Sequence, residues 1–118
     1  MARLFFFSLC LMFAAAARAD DAFLPGAEDI PVMSGLVVDE EASASFDAPA
    51  GQIVQVVLDG PDATWERVRD FYAGTLAELG WRSVSDTQYR RAADEFSIRV
   101  LAHDPLKVQF DISLMNED

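Results

Sequence analysis

The chain contains 118 residues, with 20 acidic side chains, 9 basic side chains, one cysteine and one histidine. We expect a single domain, because two domains of half this length would each bury too small a core. The net charge of −11 opposes binding to nucleic acid and to anionic lipid, which both attract basic surfaces. The sequence has neither a GxxxxGK phosphate loop nor a GxGxxG turn, and no cofactor is predicted.

The first 19 residues have the organisation of a secretory signal peptide. Arg3 precedes a mostly apolar run from Leu4 to Ala17, and Ala17-Arg18-Ala19 fits the A-x-A cleavage pattern. The run is shorter than the roughly 18 to 20 apolar residues of a membrane-spanning helix, so no stable span is predicted after cleavage. We expect cleavage after Ala19 and a periplasmic or secreted protein. Lipidation of Cys10 is an alternative, but Leu9 is bulky where small residues are usual.

Cleavage at that position would remove the one cysteine and two arginines, but no acidic residue. A disulfide framework, a thiol nucleophile and thiolate metal ligands are then excluded. The mature chain would be even more acidic than the full one, which favours solubility.

Residues 20–50 form a poorly patterned lead. They contain three prolines and the acidic run Asp39-Glu40-Glu41, so we predict extended chain with a short strand at Ser43–Asp47. The acidic run lacks the EF-hand spacing, and we interpret it as a solvated charge cluster with no metal site.

The next segment predicts one strand followed by one helix. Gln52–Leu58 is rich in β-branched residues and indicates a strand. Asp62 is the predicted N-cap of a helix over residues 63–79, and Gly80 is the predicted left-handed cap at its end. At 100° per residue an apolar stripe about 100° wide indicates that one side of this helix is buried. The stripe consists of Trp65, Val68, Tyr72, Thr75, Leu76 and Leu79.

The last third of the chain predicts antiparallel strands. Glu95–Ala102 and Leu106–Leu114 alternate with period two, and His103-Asp104-Pro105 is the predicted connection. The expected register pairs Val100 with Val108, Ile98 with Phe110 and Phe96 with Ile112 on one face, and Arg99 with Gln109 on the other. On that other face the same register places Leu101 beside Lys107. Residues 81–85 and 88–92 are predicted as shorter strands.

The predicted fold class is α+β. The order is strand, helix and then four strands, with the helix on one face of a four- to five-stranded, mainly antiparallel sheet. Residues 51–115 form the expected single domain. The aromatic residues fall on the helix stripe and on inward strand positions, which favours a packed core over a ligand-binding box.

The segment Phe71–Trp81, FYAGTLAELGW, resembles the FY…L…GW signature of small exported or lipoprotein domains of bacteria. Ile30–Leu36 and Phe46–Pro49 are similar to the proline-glycine segment and the short strand that precede the helix in those proteins. The resemblance spans about residues 30–112 and rests on structural motifs. It implies the fold and the compartment, and it supplies no catalytic residue.

Catalytic candidates are few. His103 with Asp104 as its orienting carboxylate would suit a small hydrolase, whereas Asp104 and Pro105 favour an exposed turn. No GxSxG elbow exposes a serine nucleophile. The sequence favours the turn and a protein that is not an enzyme.

The face of the sheet away from the helix is the predicted binding surface. The expected register places Arg99, Lys107 and Gln109 there, and Arg82, Arg90 or Arg91 joins them from the neighbouring shorter strands. Basic side chains gathered on an acidic protein suggest a docking face for an anionic or protein partner. The alternative is ordinary charge pairing between strands on a solvated face. We therefore predict a non-catalytic binding module of the cell envelope, whose partner is an envelope protein or a small ligand.

Overall fold

The structure is a computed structural model that describes residues 22–115. The predicted signal peptide, its cleavage site and Cys10 lie outside the described residues. The fold is α+β, as predicted, with one helix and mostly antiparallel strands. The elements are β1 (Phe23–Leu24), β2 (Ala27–Pro31), β3 (Val37–Ala48), β4 (Gly51–Gly60), α1 (Trp65–Glu78), β5 (Arg82–Ser85), β6 (Gln88–Arg91), β7 (Asp94–His103) and β8 (Leu106–Met115).

The main sheet has six antiparallel strands in the order β3-β4-β8-β7-β6-β5, and β1 and β2 form a separate two-stranded sheet. The prediction of four to five strands is therefore wrong in number. We call the face of the main sheet beneath α1 the inner face and the opposite one the outer face. On β4, β7 and β8 the even-numbered residues from Val54 to Leu58, from Phe96 to Val100 and from Leu106 to Ile112 belong to the inner face.

The additional strand, β3, comes from the lead. Its sequence is rich in Asp, Glu, Ala and Ser, which have little preference for strands, and none of its side chains is buried. An irregularity in its pairing with β4 between Asp39 and Ala44 also breaks the period of two. There the Ser43 Oγ accepts a hydrogen bond from the Val57 amide at 3.0 Å and donates one to the Asp39 carbonyl at 2.8 Å. A side chain thus replaces a missing backbone partner, and the strand continues past the bulge.

Helix α1 begins two residues later than the predicted cap requires. Thr64 is the N-cap, and its side chain accepts a hydrogen bond from the Arg67 amide at 3.2 Å. The prediction of Asp62 is wrong because Pro61 and Asp62 lie in a turn that the Ala63 amide closes onto the Gly60 carbonyl at 3.1 Å. The chain enters the helical conformation only after this turn.

The end of α1 matches the predicted glycine cap. Gly80 has a φ of +93°, a left-handed conformation that costs glycine little. The Trp81 amide donates to the Leu76 carbonyl at 2.9 Å, and the Gly80 amide donates to the Ala77 carbonyl at 3.2 Å. This pair of bonds is the Schellman motif, which satisfies the last carbonyls of the helix and turns the chain toward β5.

The core lies between α1 and the inner face. Val68, Tyr72 and Leu76 are the buried residues of the helix, and the flanking Trp65 and Leu79 are partly buried, as the stripe predicts. The Phe96 ring is 5.2 Å from Phe110, 5.9 Å from Trp81, 6.1 Å from Tyr89 and 6.4 Å from Tyr72. These aromatic side chains form the centre of the packed core, in agreement with the prediction.

The part of the lead that precedes β3, residues 22–36, packs on the inner face beside α1. Leu24 and Ile30 are fully buried. The Tyr72 hydroxyl accepts a hydrogen bond from the Met33 amide at 2.9 Å and donates one to the Pro31 carbonyl at 2.7 Å. Burial raises the pKa of this hydroxyl well above its ordinary range, and the bond from Met33 offsets only part of the rise. Helix and lead together therefore cover one side of the sheet.

An arginine joins the lead to the end of the helix. The Arg91 guanidinium bonds to an Asp29 carboxylate oxygen at 2.9 Å and to the Leu79 carbonyl at 3.1 Å. Its Cζ atom lies 4.4 Å from the centre of the Trp81 ring, a distance suited to a cation–π contact. Arg91 thus belongs to the inner layer.

The register of β7 with β8 matches the prediction away from the turn. Phe96 pairs with Ile112, Ile98 with Phe110 and Val100 with Val108, and Arg99 faces Gln109. The register then shifts, so Ala102 faces Lys107 and the expected neighbour Leu101 lies in the irregularity. The predicted three-residue connection is wrong near the turn, because His103 pairs with Leu106 and only Asp104 and Pro105 connect the strands.

Candidate binding face

The structure places Arg82, Arg99, Lys107 and Gln109 on the outer face, together with Arg90, whereas Arg91 lies on the inner side and does not join them. Lys107, Gln109 and Arg99 lie on β8 and β7, where Gln109 faces Arg99 directly. Arg82 lies on the edge strand β5 opposite Arg90, so β6 separates it from Arg99. The four residues therefore share one face, but only three of them are neighbours.

Lys107 is paired with two carboxylates. Its Nζ lies 2.6 Å from an Asp59 oxygen and 3.7 Å from an Asp39 oxygen. The hydrogen bond to Asp59 raises the pKa of the Lys107 ammonium, and the charges of Asp59 and Asp39 add to the rise. The ammonium is therefore held in its charged form within a group of opposite charges.

The other basic side chains of the face also form ion pairs with carboxylates, with one exception. The Arg99 guanidinium lies 3.4 Å from Asp111, whose other oxygen accepts a hydrogen bond from the Gln109 amide at 2.8 Å. The Arg90 guanidinium lies 2.6 Å from Glu95. Among residues 22–115, Arg82 has no ion-pair partner. Opposite charges in neighbouring strands thus neutralise most of this face within its own plane.

An apolar cluster lies at the β3 side of the same face. Phe46 is 52 % exposed and pairs directly with Ile53, which is 40 % exposed. Met115 of β8 is 38 % exposed and pairs with Gly51 of β4, so its side chain lies on the same face as that of Ile53. We call Phe46, Ile53 and Met115 the apolar corner. Sequence reasoning missed it because the short strand predicted at Ser43–Asp47 was assigned no pairing partner, although Ile53 lies in the predicted strand Gln52–Leu58.

A depression of about 520 Å³ lies at the opposite side of the outer face. Its polar lining includes Arg90, Glu95, Ser97 and Asp111, and Val84 of the edge strand contributes an apolar side chain. Arg90 and Asp111 both have partners on the face. A second depression of about 460 Å³ separates the Pro25-Gly26 turn from the bulge of β3.

The catalytic candidate His103 is exposed at the end of β7. It does not line the depression at β6–β8, the one at the β3 bulge or the one at the turn after β3. Its side chain shares no hydrogen bond with Asp104. Within the described part of the chain no group of three His, Cys, Asp or Glu residues is arranged to hold a metal ion.

Comparisons of the chain with protein-family models, with curated proteins and with solved structures find no significant match. In the region 22–115, α1 is too short and too polar to cross a membrane.

Proposed function

We propose that this protein is an exported, non-catalytic binding module that receives a protein partner on the outer face of its sheet. One observation carries the proposal. Helix α1 and the lead cover the inner face, whereas no helix or further strand of the described residues lies over the outer face, which exposes the apolar corner beside charges already paired in the plane. Exposed apolar side chains rimmed by polar groups are typical of protein interaction surfaces.

The pairing of charges favours a protein partner over an anion. Three of the four basic side chains on the face already have a carboxylate neighbour, at 2.6 Å for Arg90 and Lys107 and at 3.4 Å for Arg99. An anionic ligand would have to displace those carboxylates. A protein surface, by contrast, gains from the apolar corner and leaves the pairs at the rim, where each contributes little.

Two features support a role without catalysis. Within residues 22–115, no side chain forms a hydrogen bond that would orient His103, the sole histidine, as a general base. The serines in the depression, Ser97 and Ser113, lie on strands beside no histidine. A hydrolytic site needs a nucleophile and a base within hydrogen-bond reach of each other.

Site-specific photo-crosslinking in the exporting cell tests this function. A photoreactive side chain at Ile53 lies within the proposed face, and the matched control at Ala73 lies on the exposed side of α1. We expect the Ile53 probe to yield a discrete protein adduct and the Ala73 probe to yield none. Identical adducts from both positions, or none from Ile53, would contradict the proposal.

Export is tested separately by the mass and the location of the purified protein. Cleavage after Ala19 predicts a chain that begins at Asp20 and is recovered outside the cytoplasm. A cytoplasmic protein with the mass of the full chain would show that the export part of the proposal is wrong.

A further inference from the structure

We infer that the partner on the outer face is a second copy of this chain, so that two sheets pack face to face. The inference rests on the proposed function, because it requires the outer face to be the interface. It is carried by the distribution of charge, the area of the face and the protection of the sheet edge.

Charge is distributed unevenly over the molecule. The outer face contains four acidic and four basic side chains, which are Asp39, Asp59, Glu95, Asp111, Arg82, Arg90, Arg99 and Lys107. The other described residues contain twelve acidic and three basic side chains. Taken together, the other surfaces of two copies would repel each other, whereas their outer faces can approach without a net charge conflict.

The same distribution argues against partners of strong charge. A basic partner would be drawn to the acidic remainder of the molecule, and an acidic partner would be repelled by it. The outer face fits a surface that is itself locally neutral and partly apolar. The outer face of another copy has both properties, so two outer faces suit each other as the halves of an interface.

The size of the face suits a stable dimer. Six strands about 4.8 Å apart and central strands of ten residues at about 3.3 Å each give a face of roughly 24 by 30 Å. That is about 700 to 800 Å² on each copy, close to the contribution of one partner to an interface of standard size.

The sheet edge favours face-to-face packing over strand addition. The edge strand β3 has its irregularity between Asp39 and Ala44, and Glu40 and Glu41 are exposed there. Bulges and charges on an edge strand are features that prevent pairing with another strand. The apolar corner, by contrast, points away from the plane of the sheet and is available to a second sheet.

The inference is tested by sedimentation of the purified protein. The protein is produced from the full chain, and its mass is recorded. The paired variants Ile53→Glu and Ala73→Glu change the net charge equally, one on the outer face and the other on the exposed side of α1. We expect a dimer for the parent and for Ala73→Glu, and at least a tenfold weaker dimer for Ile53→Glu. Raising the salt from about 0.02 M to about 0.5 M should strengthen the dimer, because salt screens the repulsion between the acidic remainders.

Three results would overturn the inference. The parent could be monomeric at every concentration, the two glutamate variants could dimerise equally, or the dimer could weaken as salt rises. A monomeric protein that still crosslinks through Ile53 to a different protein would leave the proposed function intact and reject only the second copy. A monomer with no adduct from Ile53 would reject both.

Discussion

The two faces of the main sheet are stabilised in different ways. The inner face is covered by α1 and the lead, and the side chains buried there are aliphatic or aromatic; among residues 22–115 no charged side chain is buried. The outer face alternates opposite charges across strands at the surface, where solvent screens them. Burial of apolar surface is the larger contribution to folding. Stability therefore depends mainly on the inner face, and residues of the outer face can serve binding at little cost to the fold.

The largest expected effect is at the centre of the inner layer. Phe96→Ala removes the ring that neighbours Tyr72, Trp81, Tyr89 and Phe110. A cavity at this position should lower the free energy of unfolding by about 3 to 5 kcal/mol, measured by urea denaturation. The control Ile53→Ala, on the outer face of the same sheet, should cost less than about 1 kcal/mol because Ile53 is already half exposed. Equal losses would show that the two faces do not differ as proposed.

The contact between helix and lead comes next. Tyr72→Phe removes the bond to the Pro31 carbonyl and leaves the Met33 amide without its partner. We expect a loss of about 1 to 3 kcal/mol, together with faster proteolysis within residues 22–36. Unchanged stability would mean that the lead is held by its apolar side chains alone.

The same tyrosine predicts a dependence on pH. Burial raises the pKa of the Tyr72 hydroxyl in the folded state, so the unfolded chain releases this proton first. Stability should be unaffected below about pH 10 and should fall as the pH rises above the pKa of an unfolded tyrosine. In a plot of unfolding free energy against pH, the slope in this range should correspond to about one proton fewer for Tyr72→Phe than for the parent. Tyr89 and Lys107, whose pKa values are also raised, should retain their own contributions.

Two glycines offer a test of opposite signs. Gly80→Ala places a side chain at a φ of +93°, which should cost about 1 to 2 kcal/mol although the space beside Arg91 is sufficient. Gly74→Ala lies on the solvent side of α1, where nothing lies within 4 Å, and should stabilise the protein by about 0.5 to 1 kcal/mol. Thermal melts of the two variants compare the C-terminal cap of the helix with its exposed side. A loss in Gly74→Ala would place another surface over this side of α1.

The elements α1, β7 and β8, which have one buried face, were predicted close to their observed lengths, whereas β3, which has none, was predicted only over Ser43–Asp47. The alternation in β7 and β8 fixes their register because a slip of one residue would bury Arg99 and expose Ile98. The stripe of α1 and the glycine after it are local signals that the packing reinforces. The strand β3 has no buried face, and its bulge interrupts the period, so its length depends on hydrogen bonds to β4 that no local pattern reveals.

The candidate site was predictable only in outline. Assigning Arg99, Lys107 and Gln109 to the outer face needed only the register of one hairpin. The partners Asp39 and Asp59 come from strands far from that hairpin in sequence, so the pairing of Lys107 required the order β3-β4-β8. The apolar corner likewise depends on three strands, of which only β4 and β8 were predicted at close to their observed lengths.

The smallest expected effect is on the outer face itself. Arg99→Gln removes the contact with Asp111, whose other oxygen keeps its hydrogen bond from Gln109. Because the Arg99 side chain is largely exposed, the loss should stay below about 0.5 kcal/mol and should shrink further at high salt. Urea denaturation at low and high ionic strength measures both. A loss above about 1.5 kcal/mol would mean that the charge pairs hold the sheet together, and substitutions on this face could then no longer separate binding from folding.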